Sequence, residues 1–112
     1  MENKVSASLG EDDYKIIMDA IQTVKERLPF LLSLSAQERQ RLTKFGDKSR
    51  SFAGKALEVA TQYPNFLPGT FDLADLQKDV KLYDQLASIE TSLSQLEDML
   101  EATCLQTGAE VM

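Results

Sequence analysis

Apolar residues recur along the first quarter of the chain with the spacing of one helical face. Ser8 and Glu11 have the spacing of a capping box, and acidic residues follow at the positive end of the expected helix dipole. Pro29 lacks an amide hydrogen and restricts the residue before it, so a first helix is predicted over residues 11–28. The apolar positions lie three or four apart: Tyr14, Ile17, Met18, Ile21, Val24 and Leu28.

The middle of the chain carries two further helix-start signals, with a glycine between them. Ser35 and Glu38 form a capping box, and Gly46 is expected to end the short helix that follows. Asp47 is expected to cap the next helix, which Pro64 should end before a loop over residues 63–71. The packed face of this helix is predicted to hold Phe52, Ala56, Val59 and Tyr63.

The longest apolar stripe lies in the last third of the chain. Asp72 is expected to cap a helix over residues 72–103, with Phe71 and Leu76 forming a hydrophobic staple and Gly108 marking where the helical pattern stops. The stripe alternates steps of four and three residues, as the seam of a coiled coil does: Leu82, Leu86, Ile89, Leu93, Leu96 and Leu100.

The length of this last helix raises the question of what covers it. At 1.5 Å per residue it would be about 48 Å long, against about 26 Å for the other two main helices. Two outcomes are open. The helix bends near Ala87 and Ser88, or its stripe packs against something else, which could be the short helix and N-terminal segment, a second copy, or a missing piece of chain.

Residues 28–64, LPFLLSLSAQERQRLTKFGDKSRSFAGKALEVATQYP, resemble a family of small bacterial helical-bundle proteins with no known activity. Residues 71–86, FDLADLQKDVKLYDQL, are similar to the same family. Its members continue with a further apolar helix beyond the segment matching residues 107–112, so we expect a short variant or a bundle completed by another copy. The matching positions are Leu28, Pro29, Phe30, Leu31, Leu34, Ser35, Glu38, Arg39, Leu42, Lys44, Gly46, Asp47, Lys48, Ser49 and Phe52.

The helical patterns and the resemblance together predict an all-α fold. We expect an antiparallel up-and-down bundle of three main helices plus a short one, similar to a four-helix bundle. A single domain over residues 1–112, flexible over residues 1–9, fits the length. No secretory signal or membrane-spanning run is visible, so a cytoplasmic bacterial protein is expected.

Charge is distributed unevenly along this acidic chain, whose net charge is −6. Residues 39–55 hold six Lys and Arg and one acidic residue, so this window is net +5. Two of the cations would lie in the first turn of the helix that Asp47 caps, where free amides are already positive. An anion site is therefore predicted at Lys44, Lys48, Ser49 and Arg50. The alternative is a solvated, internally balanced charge run.

The residue types present exclude several chemistries. The chain has no histidine and one cysteine, which excludes Ser-His-Asp and Cys-His catalysis, His-ligated zinc and thiolate clusters. Cys104 is expected to pack as a small hydrophobe, and Glu97 and Glu101 to lie on a solvated acidic face rather than share a cation. The aromatic side chains in the apolar stripes are expected to pack in a core: Tyr14, Phe52, Tyr63 and Tyr83.

These observations favour a structural or protein-interaction module without enzymatic activity, cofactor or metal. Self-association into a homodimer or larger homo-oligomer is expected through Leu86, Ile89, Leu93, Leu96 and Leu100. The alternative is a small-molecule or anion-binding protein that uses residues 44–51. Its ligand would be a small anion or an acidic protein partner, and neither nucleic acid nor membrane is expected as a partner.

Overall fold

The computed structural model describes residues 4–63, 65 and 72–111, except the side chains of residues 44, 45, 47 and 48. Within these residues the chain is all-α, as predicted. Most of the loop predicted over residues 63–71, and Phe71 with its staple, lie outside the described residues. The helices are α1 (Glu11–Arg27), α2 (Ala36–Gln62) and α3 (Leu73–Glu110).

Helix α1 begins and ends close to the predicted positions, but its cap differs. Gly10 is the N-cap residue and no side chain caps the helix, so the capping box predicted at Ser8 and Glu11 is wrong. The Gly10 carbonyl instead accepts the first helical hydrogen bond, from the Tyr14 amide at 2.9 Å. The helix ends before Pro29, as predicted, because proline disfavours the helical conformation in the residue that precedes it.

Helix α2 is one continuous helix where the sequence predicted two. Ser35 is its N-cap, and its Oγ accepts from the Glu38 amide at 3.1 Å, so this predicted cap is confirmed. The predicted stop at Gly46 and the predicted cap at Asp47 are wrong, because both residues lie inside α2. A glycine ends a helix mainly by taking a positive φ, which Gly46 does not do.

Helix α3 also extends further than predicted. The Asp72 carboxylate accepts from the Asp75 amide at 2.9 Å, which confirms Asp72 as the N-terminal cap. The helix continues past Thr103 and through Gly108 to Glu110, so the stop predicted near Gly108 is wrong. It also runs without interruption through residues 87 and 88.

The chain forms two compact units, and α3 contributes residues to both. The first unit contains the described residues up to Ser33 and from Asp98 onward. Its segment before α1 is held by the Glu110 carboxylate, which accepts hydrogen bonds from the backbone amides of Lys4 and Val5. The expectation of a single domain stays a prediction.

The second unit, Leu34–Glu97, holds α2 and the first part of α3. One side of α2 is withdrawn from solvent at positions three or four residues apart: Ala53, Ala56, Leu57 and Ala60. Ala60 is completely buried. On α3 the corresponding half-buried positions are Leu73, Leu76, Val80, Leu86 and Ala87. Small alanine side chains allow two helices to approach closely, which explains why this side of α2 is the packed one.

Candidate functional site

An exposed apolar stripe runs along α3 in the second unit. We define the α3 stripe as Leu82, Leu86, Ile89, Leu93 and Leu96. Leu86 is half-buried, whereas Ile89, Leu93 and Leu96 keep 38%, 47% and 49% of their surface exposed. Leu100, the next residue of the repeat, is also exposed and belongs to the first unit. The residues predicted to form a self-association surface therefore lie on one helix, and four of the five are exposed.

A second exposed stripe lies on α2, on positions that the sequence assigned to the core. Phe52 is 75% exposed, and Val59 and Tyr63 are more than half exposed, so the predicted packed face is wrong apart from Ala56. Leu42 is exposed as well, but it lies about 80° around the helix from Phe52 and is not part of this stripe. We define the α2 stripe as Phe52 and Val59.

The expectation of an aromatic core is also wrong. Tyr14, Phe52, Tyr63 and Tyr83 are each about half exposed or more. Aromatic residues in a helical stripe usually mark the packed face. In α2, however, the alanine side packs, and the bulky side chains are left on the outside. The sequence did carry a signal for this, since alanines at positions 53, 56 and 60 repeat at helical spacing beside the aromatic positions.

Arg50 joins α2 to α3 at the edge of a groove. Its guanidinium donates to the Asp84 carboxylate at 3.1 Å and lies 4.7 Å from the centre of the Tyr83 ring. Both charged side chains are more than half exposed, so the ion pair contributes little to stability. The groove has a volume of about 510 Å³, and its apolar lining includes Ala53, Leu76 and Val80.

The predicted anion site was based partly on a helix that begins near Asp47, and no helix begins there. Residues 44–50 lie inside α2, so their amides bond within the helix and no cluster of free N–H groups faces a ligand there. Arg50 already pairs with Asp84, and Ser49 lines the groove. The side chains of Lys44 and Lys48 lie outside the described residues. Anion binding at these four residues therefore remains a prediction without its original physical basis.

Charged side chains flank the α3 stripe on one side only. Glu90 and Glu97 directly follow Ile89 and Leu96, whereas the uncharged Gln85 and Ser92 directly precede Leu86 and Leu93. Residues 82–112 contain six acidic residues and no Lys or Arg. Among the residues that the structure describes, Arg50–Asp84 is the one ion pair, so the Glu90 and Glu97 carboxylates are not in ion pairs there.

Two other candidate groups show no organised site. Cys104 is exposed on α3, so the expectation that it packs as a small hydrophobe is wrong. Glu97 and Glu101 do not belong to a metal-binding cluster: across residues 4–63, 65 and 72–111, no three Cys, Asp or Glu side chains are arranged to hold a metal ion.

The Glu110 carboxylate near the end of α3 accepts several hydrogen bonds that affect its pKa. Gln106 Nε2 donates to its carboxylate at 2.9 Å, and the Lys4 and Val5 amides donate to it as well. These hydrogen bonds, chiefly that from Gln106, hold the pKa of Glu110 below its usual range, although partial desolvation opposes them. The ionised form of Glu110 therefore ties the start of the chain to the end of α3.

Comparison with known proteins identified no relative of this chain. No family model, no curated protein and no solved structure matches the chain. The resemblance to bacterial helical-bundle proteins therefore stays a prediction. In the part of the chain that the structure describes, none of the helices combines the length and apolar character needed to cross a membrane.

Proposed function

We propose that this protein is a non-enzymatic structural or interaction module that self-associates through the α3 stripe. The observation that carries the proposal is the exposure of Ile89, Leu93 and Leu96 on one side of a continuous helix. Regularly spaced, exposed apolar side chains of this kind mark association surfaces in soluble proteins. The exposed α2 stripe gives the same unit a further apolar surface.

The proposal includes an antiparallel arrangement of α2 and α3 in the second unit. Arg50 lies about as far before the end of α2 as its partner Asp84 lies after the start of α3. A chain that turns back on itself brings such positions together. In a parallel arrangement with the same Arg50–Asp84 contact, Leu73 would lie beside Arg39, and the connection after Gln62 would have to return about 35 Å along α2. Ten residues reach at most about 36 Å, so that arrangement would need a fully extended connection, whereas an antiparallel one needs only a turn.

The small-anion function is a weaker alternative than association through the α3 stripe. An anion-binding protein needs convergent donors. The predicted site combined side chains with the amides of a helix start, but those amides lie inside α2, and Arg50 is paired with Asp84. Association through the α3 stripe, in contrast, requires no helix or loop beyond those already present. Its residues are already on the surface of a single helix, at the spacing that knobs-into-holes packing requires.

Sedimentation equilibrium of the unmodified protein and of Leu93→Lys tests the proposal. We expect the unmodified protein to self-associate at micromolar concentrations. Leu93 is half exposed, and burying the remainder contributes about 1 kcal/mol in each copy, so its loss should weaken a dimer about 30-fold or more. A desolvated lysine would weaken the dimer further.

The matched control is Thr91→Lys, which adds the same charge on the opposite side of α3. It should leave the association unchanged, and circular dichroism should show that both variants remain helical. If Leu93→Lys unfolds the chain, the milder Leu93→Ala replaces it in the same measurement. A monomeric unmodified protein, or equal effects of Leu93→Lys and Thr91→Lys on association, would refute the proposal.

A further inference from the structure

The charged residues beside the α3 stripe lie on one flank of it only. The relative direction of two paired copies therefore decides whether like charges meet. The stripe has the spacing of a coiled-coil repeat, with Leu86 and Leu93 at one type of core position and Leu82, Ile89 and Leu96 at the other. Residues that flank such a core meet residues of the partner helix. Which ones meet is decided by the relative direction of the two helices.

In an antiparallel pair, residues on the same flank of each helix face each other. One flank is formed by the residues that come directly after a core residue in the sequence, and it carries Glu90 and Glu97. Antiparallel copies would place these carboxylates against each other. Both side chains are exposed, and neither is in an ion pair within the described structure. Like charges held opposite each other on helices are destabilising, and no Lys or Arg after residue 81 offsets them.

In a parallel pair, the residues that directly precede core residues in one copy meet the residues that directly follow core residues in the other copy. Gln85 would then face Glu90 of the second copy, and Ser92 would face its Glu97. Both contacts bring a neutral, hydrogen-bonding side chain to a carboxylate, so no like charges meet. Each core residue would meet the same residue of the second copy, and the apolar layers would therefore match without adjustment. Such a contact closes around a two-fold axis parallel to the helices.

We propose that the occupant of the α3 stripe is the α3 stripe of a second copy, aligned parallel and in register. This inference rests on the self-association proposed above. It adds the partner surface, the direction and the register. It also assigns Ser92 and Glu97 as neighbours across the interface.

Spin-label distances test the direction directly. Single cysteines at Gln77→Cys and at Ser88→Cys are each placed in a Cys104→Ser background, which removes the native thiol. Parallel in-register copies give short distances between copies at both positions. Antiparallel copies centred on Ile89 also give a short distance at residue 88, but they separate the two labels at residue 77 by about 36 Å along the axis. Residue 88 is thus the control for dimer formation and labelling.

A charge introduced at Ser92 provides a second, independent test. Ser92→Lys should make two Lys–Glu97 contacts in a parallel dimer and tighten association about threefold to tenfold at low salt. Thr91→Lys adds the same charge on the side of α3 opposite the stripe, next to the groove that Arg50 and Asp84 line, and should not tighten it. In both variants the new lysine has no acidic residue three or four positions away, so their helices are equally affected.

The outcomes separate this inference from the function on which it rests. A monomeric unmodified protein would overturn both. Self-association with a long distance at residue 77, or with no advantage of Ser92→Lys over Thr91→Lys, would overturn the parallel pairing alone. In that case the stripe would pair antiparallel or bind another surface, such as the α2 stripe of the second copy.

Discussion

The substitution Gly46→Ala distinguishes a continuous α2 from two separate helices by the sign of its effect. Gly46 lies in the interior of α2 with a negative φ, and a Cβ built on it meets no atom within 4 Å. Alanine fits that position without strain. If Gly46 instead ended a short helix, it would take the left-handed conformation, and alanine would be strained there.

The expected gain follows from helix propensity. Glycine in a helix interior is about 0.8–1.0 kcal/mol less favourable than alanine, and compatible Gly→Ala substitutions in proteins gain about 0.4–1 kcal/mol. With a urea slope of about 1–3 kcal/mol per M, the unfolding midpoint should rise by roughly 0.2–1 M. The exposed surroundings of Gly46 leave no packing cost to reduce this gain.

Urea unfolding followed by circular dichroism at 222 nm measures this shift. All variants are compared at one protein concentration, because association makes the stability depend on concentration. Gly54→Ala is the matched control. Gly54 lies in the interior of a helix under both descriptions, and its added Cβ also meets nothing within 4 Å. Both substitutions should therefore raise the midpoint by similar amounts.

One result would refute the continuous helix. If Gly54→Ala raises the midpoint while Gly46→Ala lowers it, Gly46 needs a conformation that alanine resists. The predicted break between a short helix and the next one would then be correct.

Two further predictions concern the helix caps and the Glu110 carboxylate. Replacing Ser35 or Asp72 by alanine should each cost about 1 kcal/mol, because each side chain accepts from an otherwise free helix amide, and the urea midpoint of either variant would show the loss. An unchanged midpoint in either variant would mean that the cap contributes nothing to the measured unfolding. Because the folded-state pKa of Glu110 is lowered, the stabilisation it provides is present above its unfolded-state pKa and disappears as the pH falls through the folded-state value. In an NMR titration, Gln106→Ala should shift the Glu110 pKa upward, and the Val5 amide signal should titrate together with that carboxyl group. A Glu110 pKa that does not respond to Gln106→Ala would contradict the assigned cause.

Much of the secondary structure could be predicted from local sequence, because its determinants are local. Ser35 and Asp72 cap helices through hydrogen bonds to amides three residues away, and Pro29 acts on the residue before it. Gly46 and Gly108 were misjudged for an equally specific reason. A glycine permits a helix to stop but does not require it, and both remain within helices whose neighbouring residues keep the helical conformation.

The candidate site could be predicted only in part. The periodicity placed Leu86, Ile89, Leu93 and Leu96 on one side of α3, and their spacing indicated a partner surface. The anion site remains a prediction, but it lost one of its physical reasons, because that reason depended on where a helix begins. The α2 stripe was assigned to the core, since a stripe of large apolar residues has the same periodicity whether it faces a core or water.

The sequence by itself determined the all-α class, two of the helix caps, the acidic character of residues 82–112 and the spacing of the α3 stripe. These properties depend on residues a few positions apart, which any helical backbone brings together. Only the tertiary structure decided which side of each helix is covered. Burial depends on what lies opposite a side chain, and in α2 the side with Ala53, Ala56 and Ala60 packs while Phe52 remains exposed. The pairing of Arg50 with Asp84, 34 positions apart, likewise required the fold to bring the two helices together.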